Sequence, residues 1–71
     1  MKYTVLYRKL GERIEELRKQ QGLTQEELAE KTGVNRSYFW DIEQGRNISV
    51  KTAAKIANAL GVTLSDLFKF K

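Results

Sequence analysis

The sequence predicts an all-α protein, a compact five-helix orthogonal bundle in which helices two and three form a helix-turn-helix. Three observations support this prediction. Apolar residues recur every three or four positions, glycines end the amphipathic segments, and no segment alternates apolar and polar residues as a strand would. The 71 residues are enough for one small domain, which we predict to span residues 1–71.

The first helix is expected from about Thr4 to Gln21. Its apolar residues are spaced by four, four and three positions, so they share one face: Leu6, Leu10, Ile14 and Leu17. Glycine tolerates the left-handed backbone that ends many helices, and four glycines stand at such ends: Gly22, Gly33, Gly45 and Gly61. The later helices are predicted over Gln25 to Lys31, Arg36 to Gln44, Val50 to Leu60 and Leu64 to Phe68. Extended backbone is expected at most for residues 2–3.

Each of the four later helices starts with the same local pattern. A residue that can cap the helix stands between two apolar residues, one just before it and one four positions after it. The capping residues are Thr24, Asn35, Ser49 and Thr63. Two of these starts also carry an acid three positions after the cap, Glu27 and Asp66, which predicts a reciprocal capping box.

The composition excludes several function classes. The chain has no cysteine and no histidine, so it lacks a thiolate zinc site, a disulfide and the commonest general base. We therefore expect no enzyme activity, no metal, no cofactor and no small-molecule ligand. No apolar stretch approaches the roughly 20 residues that cross a bilayer, so we expect a soluble, cytoplasmic protein without membrane contact. The net charge of +4 suits a polyanionic partner but also ordinary solubility.

The joint between helices two and three points to a way of binding DNA. Only residues 32–35 separate the two helices, and so short a joint with one glycine forces a steep crossing angle. In that geometry the third helix can enter a DNA major groove while the second lies across the phosphates. If Val34, Phe39 and Ile42 face the core, the side chains that point outward as candidate base contacts are Arg36, Ser37, Trp40 and Asp41.

Each outward residue has an alternative interpretation. Arg36 can read guanine O6 and N7 with two donors, or be a solvated arginine at a helix start. Ser37 can contact a base or face water. Trp40 can pack on sugar or a thymine methyl group, or belong to a core or an interface. Asp41 can accept from a cytosine amine, or form an ion pair with Arg36 or Arg46.

Three segments carry a resemblance to a known family. They are LRKQQGLTQEELAEKTGV (Leu17 to Val34), SYFWDIEQG (Ser37 to Gly45) and KIANALGVTLSDLF (Lys55 to Phe68). From about Leu10 to Phe68 the chain resembles the lambda-repressor and Cro-type (Cro/C1-type) helix-turn-helix proteins, the xenobiotic-response-element-like transcriptional regulators. That group includes phage repressors, restriction-modification controllers and antitoxins.

The resemblance implies roles for further residues. Gln25 corresponds to a glutamine that bonds a phosphate and braces a side chain of the recognition helix. The other expected contacts to the DNA backbone are Asn35, Arg46, Asn47 and Lys51. Arg18 and Glu43 match positions that form a buried ion pair in relatives. The sequence departs from the family pattern at Trp40, where small or polar residues are commoner, and at Asp41, where an acid faces phosphates.

The predicted function is that of a transcriptional regulator, a repressor that reads a palindromic operator in double-stranded DNA as a homodimer. Leu64, Phe68 and Phe70 offer apolar surface near the C-terminus for a symmetric interface. The alternative for Phe68 is that it closes the core of its own domain. The alternative function is an antitoxin or another interaction module whose main partner is a protein.

Overall fold

The computed structural model describes residues 2–70, and they form the five helices that the sequence predicts, with no strand among them. The helices are α1 (Tyr3–Gln20), α2 (Gln25–Thr32), α3 (Arg36–Glu43), α4 (Val50–Leu60) and α5 (Leu64–Leu67). The predicted boundaries are right to within one residue. Tyr3 was expected to be extended at most, but it is the first residue of α1 because the backbone N–H groups of the following turn already find carbonyl acceptors.

The helix starts are capped as their sequence pattern predicts. The side chains of Thr24 and Thr63 each accept a hydrogen bond from the backbone N–H three residues later. The carboxylates of Glu27 and Asp66 in turn accept from the backbone N–H of Thr24 and Thr63, which completes both capping boxes. The hydrogen bond from the Thr24 N–H lowers the pKa of Glu27. The equivalent bond from Thr63 lowers the pKa of Asp66 to about 2. Ser49 caps α4 through the N–H of Thr52.

The helix ends depend on glycine where the chain must turn sharply. Gly33 has φ 74° at the end of α2, and Gly61 has φ 71° at the end of α4. An L-residue with a Cβ rarely adopts this left-handed conformation, so glycine permits the abrupt stop. At the end of α2 this stop leaves room for only Val34 and Asn35 before α3 begins.

The core lies where α1, α2, α3 and α4 meet. Its largest fully buried side chains are Phe39, Ile14, Leu28, Ile42, Ile56 and Leu67. Each apolar residue four positions after a capping residue is buried, as the staple pattern predicts. Leu67 of α5, and not Phe68, closes the core of the domain, so that alternative for Phe68 is wrong. None of the helices in residues 2–70 combines the length and the apolar character that a membrane span requires.

The fifth glycine, Gly11, serves a purpose that its sequence context did not reveal. It is buried in the middle of α1, where that helix crosses α3. A Cβ at this position would lie 2.5 Å from the carbonyl oxygen of Ile42 and 2.8 Å from that of Glu43. Because both are backbone atoms, the two helices can approach this closely only with glycine here. This approach brings the end of α3 against α1.

Candidate nucleic-acid interface

The turn between α2 and α3 is held by short-range hydrogen bonds. The Val34 N–H donates to the Ala29 carbonyl (3.1 Å) and to the Thr32 hydroxyl (3.2 Å). The Asn35 Oδ1 accepts from the N–H groups of Ser37 (2.8 Å) and Tyr38 (3.3 Å) and so begins α3. The side-chain oxygen of Asn35 therefore caps α3. A contact of this side chain with a DNA backbone would use its amide nitrogen.

The outward face of α3 carries the four side chains proposed to contact bases. Phe39 and Ile42 are buried on the opposite face and hold the helix on the core. Trp40 is 51% exposed, so it belongs to the surface and not to the core. One shallow depression crosses α2 and α3. It is lined by Gln25 of α2 and by the four outward side chains of α3, Arg36, Ser37, Trp40 and Asp41. The structure thus brings residues from two helices to one surface.

Arg36 forms an ion pair that the sequence did not predict. Its Nη1 lies 2.6 Å from Oε1 of Glu26, which belongs to the first turn of α2. Both side chains remain largely exposed, at 69% and 62%. Because the partners are ten residues apart and on different helices, only the crossing of α2 and α3 brings them together.

Asp41 pairs with Arg46 and not with Arg36. The Arg46 Nη1 donates to Asp41 Oδ2 at 3.1 Å, and the Arg46 guanidinium also lies over the ring of Tyr38, 4.8 Å from its centroid. The carboxylate and the aromatic ring together orient Arg46 beside the recognition helix. Asp41 therefore offsets part of the positive charge of Arg46 at the surface.

A buried network links the core to the start of α2. The Arg18 Nε and Nη2 donate to the two carboxylate oxygens of Glu43 at 2.7 and 3.1 Å, and the Glu43 side chain is fully buried. The Arg18 Nη1 donates to the Leu23 carbonyl at 2.7 Å. The hydrogen bond to Glu43 raises the pKa of Arg18.

Glu43 also orients Gln25. The Gln25 Nε2 donates to Glu43 Oε1 at 2.8 Å, so the side chain of the first residue of α2 is anchored to the ion pair beneath it. One amide hydrogen and the backbone N–H of Gln25 remain for a phosphate. The resemblance implied that Gln25 braces a side chain of α3, and the structure identifies that side chain as Glu43, 18 positions away.

The remaining candidate residues lie around this surface and at the C-terminus. Asn47 and Lys51 are exposed, one in the loop after α3 and the other in the first turn of α4. Leu64 and Phe70 are half-buried against the core. Phe68 is 42% exposed, and its ring centroid lies 6.2 Å from that of Phe70. Within residues 2–70, no three histidine, cysteine, aspartate or glutamate side chains are grouped so that they could hold a metal ion.

The fold and the exposed start of α3 define a helix-turn-helix protein. The family model described as helix-turn-helix matches residues 14–67. The chain therefore belongs to the helix-turn-helix family.

Three relatives illustrate the similarity. The immunity repressor of Bacillus phage phi105 is 47% identical over 59 residues, which cover 82% of this chain and 41% of the repressor. The structure of the restriction-modification controller C.AhdI from Aeromonas hydrophila is 43% identical, with a TM-score of 0.85 over 87% of this chain and 96% of that chain. SinR, a regulator of biofilm formation solved in complex with DNA, is 37% identical, with a TM-score of 0.79 over 84% of this chain and 98% of that chain. The chain thus spans less than half the length of the phage repressor.

Proposed function

We propose that this protein is a repressor that reads a palindromic operator as a homodimer, with α3 in the major groove. That it is a DNA-binding transcriptional regulator follows from its family, in which relatives are repressors and controller proteins. The observation that carries the proposal is the shallow surface depression shared by α2 and α3, where the four outward side chains of α3 meet Gln25. In this proposal, the protein acts in the cytoplasm, where it reaches the genome, and it binds DNA without catalysing a reaction.

The roles in this surface divide between bases and backbone. The Arg36 guanidinium is exposed at the first residue of α3, where its donors can reach guanine O6 and N7 in the groove. Ser37, Trp40 and Asp41 complete the base-facing surface. The residues proposed to contact the DNA backbone are Gln25, Asn35, Arg46, Asn47 and Lys51. Contacts to the DNA backbone set the position of the protein on the duplex and carry no sequence information by themselves.

Two substitutions test this division of roles. Arg36→Ala should reduce the ratio of operator to random-DNA affinity by about five- to 150-fold, because one bidentate base contact is worth about 1 to 3 kcal/mol. Arg46→Ala should weaken both affinities about equally and make the dependence on salt shallower. Fluorescence anisotropy with a duplex selected from random DNA measures both quantities. Equal effects of the two substitutions on the ratio would contradict the proposal.

The homodimer follows from the weak binding expected of one domain. Asp41 on α3 and Glu26 beside it place negative charge on the surface proposed to face DNA, so a single domain should bind DNA weakly. Two domains that bind half-sites about 34 Å apart would share one face of the duplex. Leu64, Phe68 and Phe70 supply apolar surface for such an interface.

Sedimentation at micromolar concentration, with and without operator DNA, tests the dimer. Phe68→Ser should shift the protein toward the monomer, since its ring is exposed and contributes little to the core. Tyr3→Ser is the matched control, because it removes an aromatic ring that is 81% exposed at the other end of the chain. A wild-type monomer in the presence of operator would contradict the dimer.

Salt dependence separates the repressor from the alternative, a module whose main partner is a protein. Binding that neutralises several phosphates weakens steeply as salt concentration rises, because condensed counterions are released. A complex held by apolar contacts need not follow this dependence. Affinity for the selected duplex that changes little between low and physiological salt would favour the protein partner.

A further inference from the structure

The ion pair between Glu26 and Arg36 joins two elements with different roles. Glu26 lies in the first turn of α2, which the Thr24 capping box holds in place. Arg36 is the first residue of α3, and its Nη1 lies 2.6 Å from Glu26 Oε1. The carboxylate therefore holds the arginine from the neighbouring helix, α2.

We infer that Glu26 is a positioning residue that determines specificity by orienting the Arg36 guanidinium toward one base pair. The inference rests on the proposed function and extends it to a residue that has no expected contact with DNA. Guanidinium has five N–H donors, and Glu26 occupies Nη1. The Nη2 and Nε edge still offers the two parallel donors that guanine O6 and N7 require.

The physical reason is the freedom of an exposed arginine. Its long side chain has many rotamers, and without a partner it can turn to the nearest phosphate as readily as to a base edge. A carboxylate anchored on α2 restricts that freedom before DNA arrives. An exposed ion pair contributes little to folding in water, but the same pair gains strength when DNA excludes water from the interface.

The charge of Glu26 also increases discrimination between operator and random DNA. The negative charge of Glu26 opposes binding to any phosphate backbone, whatever the sequence. Its removal should therefore tighten binding to random DNA while it loosens the recognition of one base pair. These opposite changes distinguish orientation of Arg36 from a general loss of binding.

The test compares Glu26→Ala with Glu30→Ala. Both residues are exposed on α2, and both substitutions remove one negative charge and leave a good helix former. Each protein is titrated with the selected operator, with random duplex, and with operators changed at one base pair at a time. Glu26→Ala should lower discrimination about fivefold or more, only at the base pair that Arg36 reads. Glu30→Ala should change all affinities alike.

A double-substitution cycle then assigns the effect to Arg36. In an Arg36→Ala background, Glu26→Ala should leave discrimination unchanged, because there is no guanidinium to orient. Glu26→Gln should retain part of the discrimination, since its amide oxygen still accepts a hydrogen bond. An effect of Glu26→Ala that persists without Arg36 would mean that Glu26 reads DNA directly, and the inference would be wrong.

The outcomes also separate the inference from the function on which it rests. If the wild-type protein does not distinguish any operator from random duplex, the proposed function itself fails. If it does distinguish them, and Glu26→Ala behaves as Glu30→Ala does at every base pair, only the role of Glu26 is overturned. Circular dichroism of the variants should show the same helix content as the wild type.

Discussion

Substitution of Arg18 by methionine should cost a large part of the stability of the domain. The substitution leaves the Glu43 carboxylate, whose side chain has no solvent exposure, with Gln25 as its remaining partner among the contacts described above. Removing one partner of a buried ion pair costs about 3 to 5 kcal/mol. A domain of 71 residues has a free energy of unfolding of about 4 to 11 kcal/mol. The substitution should therefore remove from about a quarter to all of this free energy.

Urea denaturation followed by circular dichroism measures this loss. Arg8→Met is the matched control on the same helix, because the Arg8–Glu12 pair is 4.0 Å apart and both side chains are more than 60% exposed. That control should change the free energy of unfolding by about 0.5 kcal/mol or less. Arg18→Met combined with Glu43→Met should recover part of the loss, since no uncompensated charge remains buried. A loss for Arg18→Met no larger than that for Arg8→Met would refute the reasoning.

Two further predictions concern close packing and acid stability. Gly11→Ala should lower the free energy of unfolding, because its Cβ would overlap two backbone oxygens of α3 at a cost of about 1 to 3 kcal/mol. Alanine favours a helix over glycine by roughly 1 kcal/mol, which leaves a net loss of up to about 2 kcal/mol. Thermal unfolding checks it, and a rise in Tm would contradict the overlap. The pKa of Asp66 is lowered from 3.8 to about 2 in the folded protein. Its ionised carboxylate therefore contributes to the free energy of unfolding above about pH 4, and this contribution is lost as the pH falls toward 2. Asp66→Asn should remove this part of the acid dependence, because an amide has no carboxyl group to protonate, and an unchanged pH profile of stability would contradict it.

Features that depend on neighbouring residues could be predicted well from the sequence. A cap, an acid three positions later and a glycine at the end of each segment act within a turn or two of helix, so their effect does not depend on the rest of the fold. For that reason the predicted ends of α4 agree with the structure, and the capping boxes at Thr24 and Thr63 form as expected. The outward face of α3 followed from the same periodicity once Phe39 and Ile42 were assigned to the core.

Choices between partners could not be predicted in this way. Asp41 had two candidate arginines in the sequence, and the structure pairs it with Arg46. Arg36 pairs with Glu26, which lies ten positions earlier on another helix. The energies of such exposed pairs differ little. The crossing of α2 and α3 brings Glu26 to Arg36, and the turn after α3 brings Arg46 to Asp41. The contacts with DNA proposed for these residues stay predictions.

The sequence by itself determined the helices, their order, the buried face of each and the turn that presents α3, because these follow from local hydrogen bonding and from the periodicity of apolar residues. Only the tertiary structure decided that Gly11 marks the crossing of α1 and α3, and that the α3 side chain braced by Gln25 is Glu43, the residue that the resemblance had already paired with Arg18. These contacts join residues far apart in the chain. Their geometry is set by how whole helices pack, and no local pattern of residues specifies that packing.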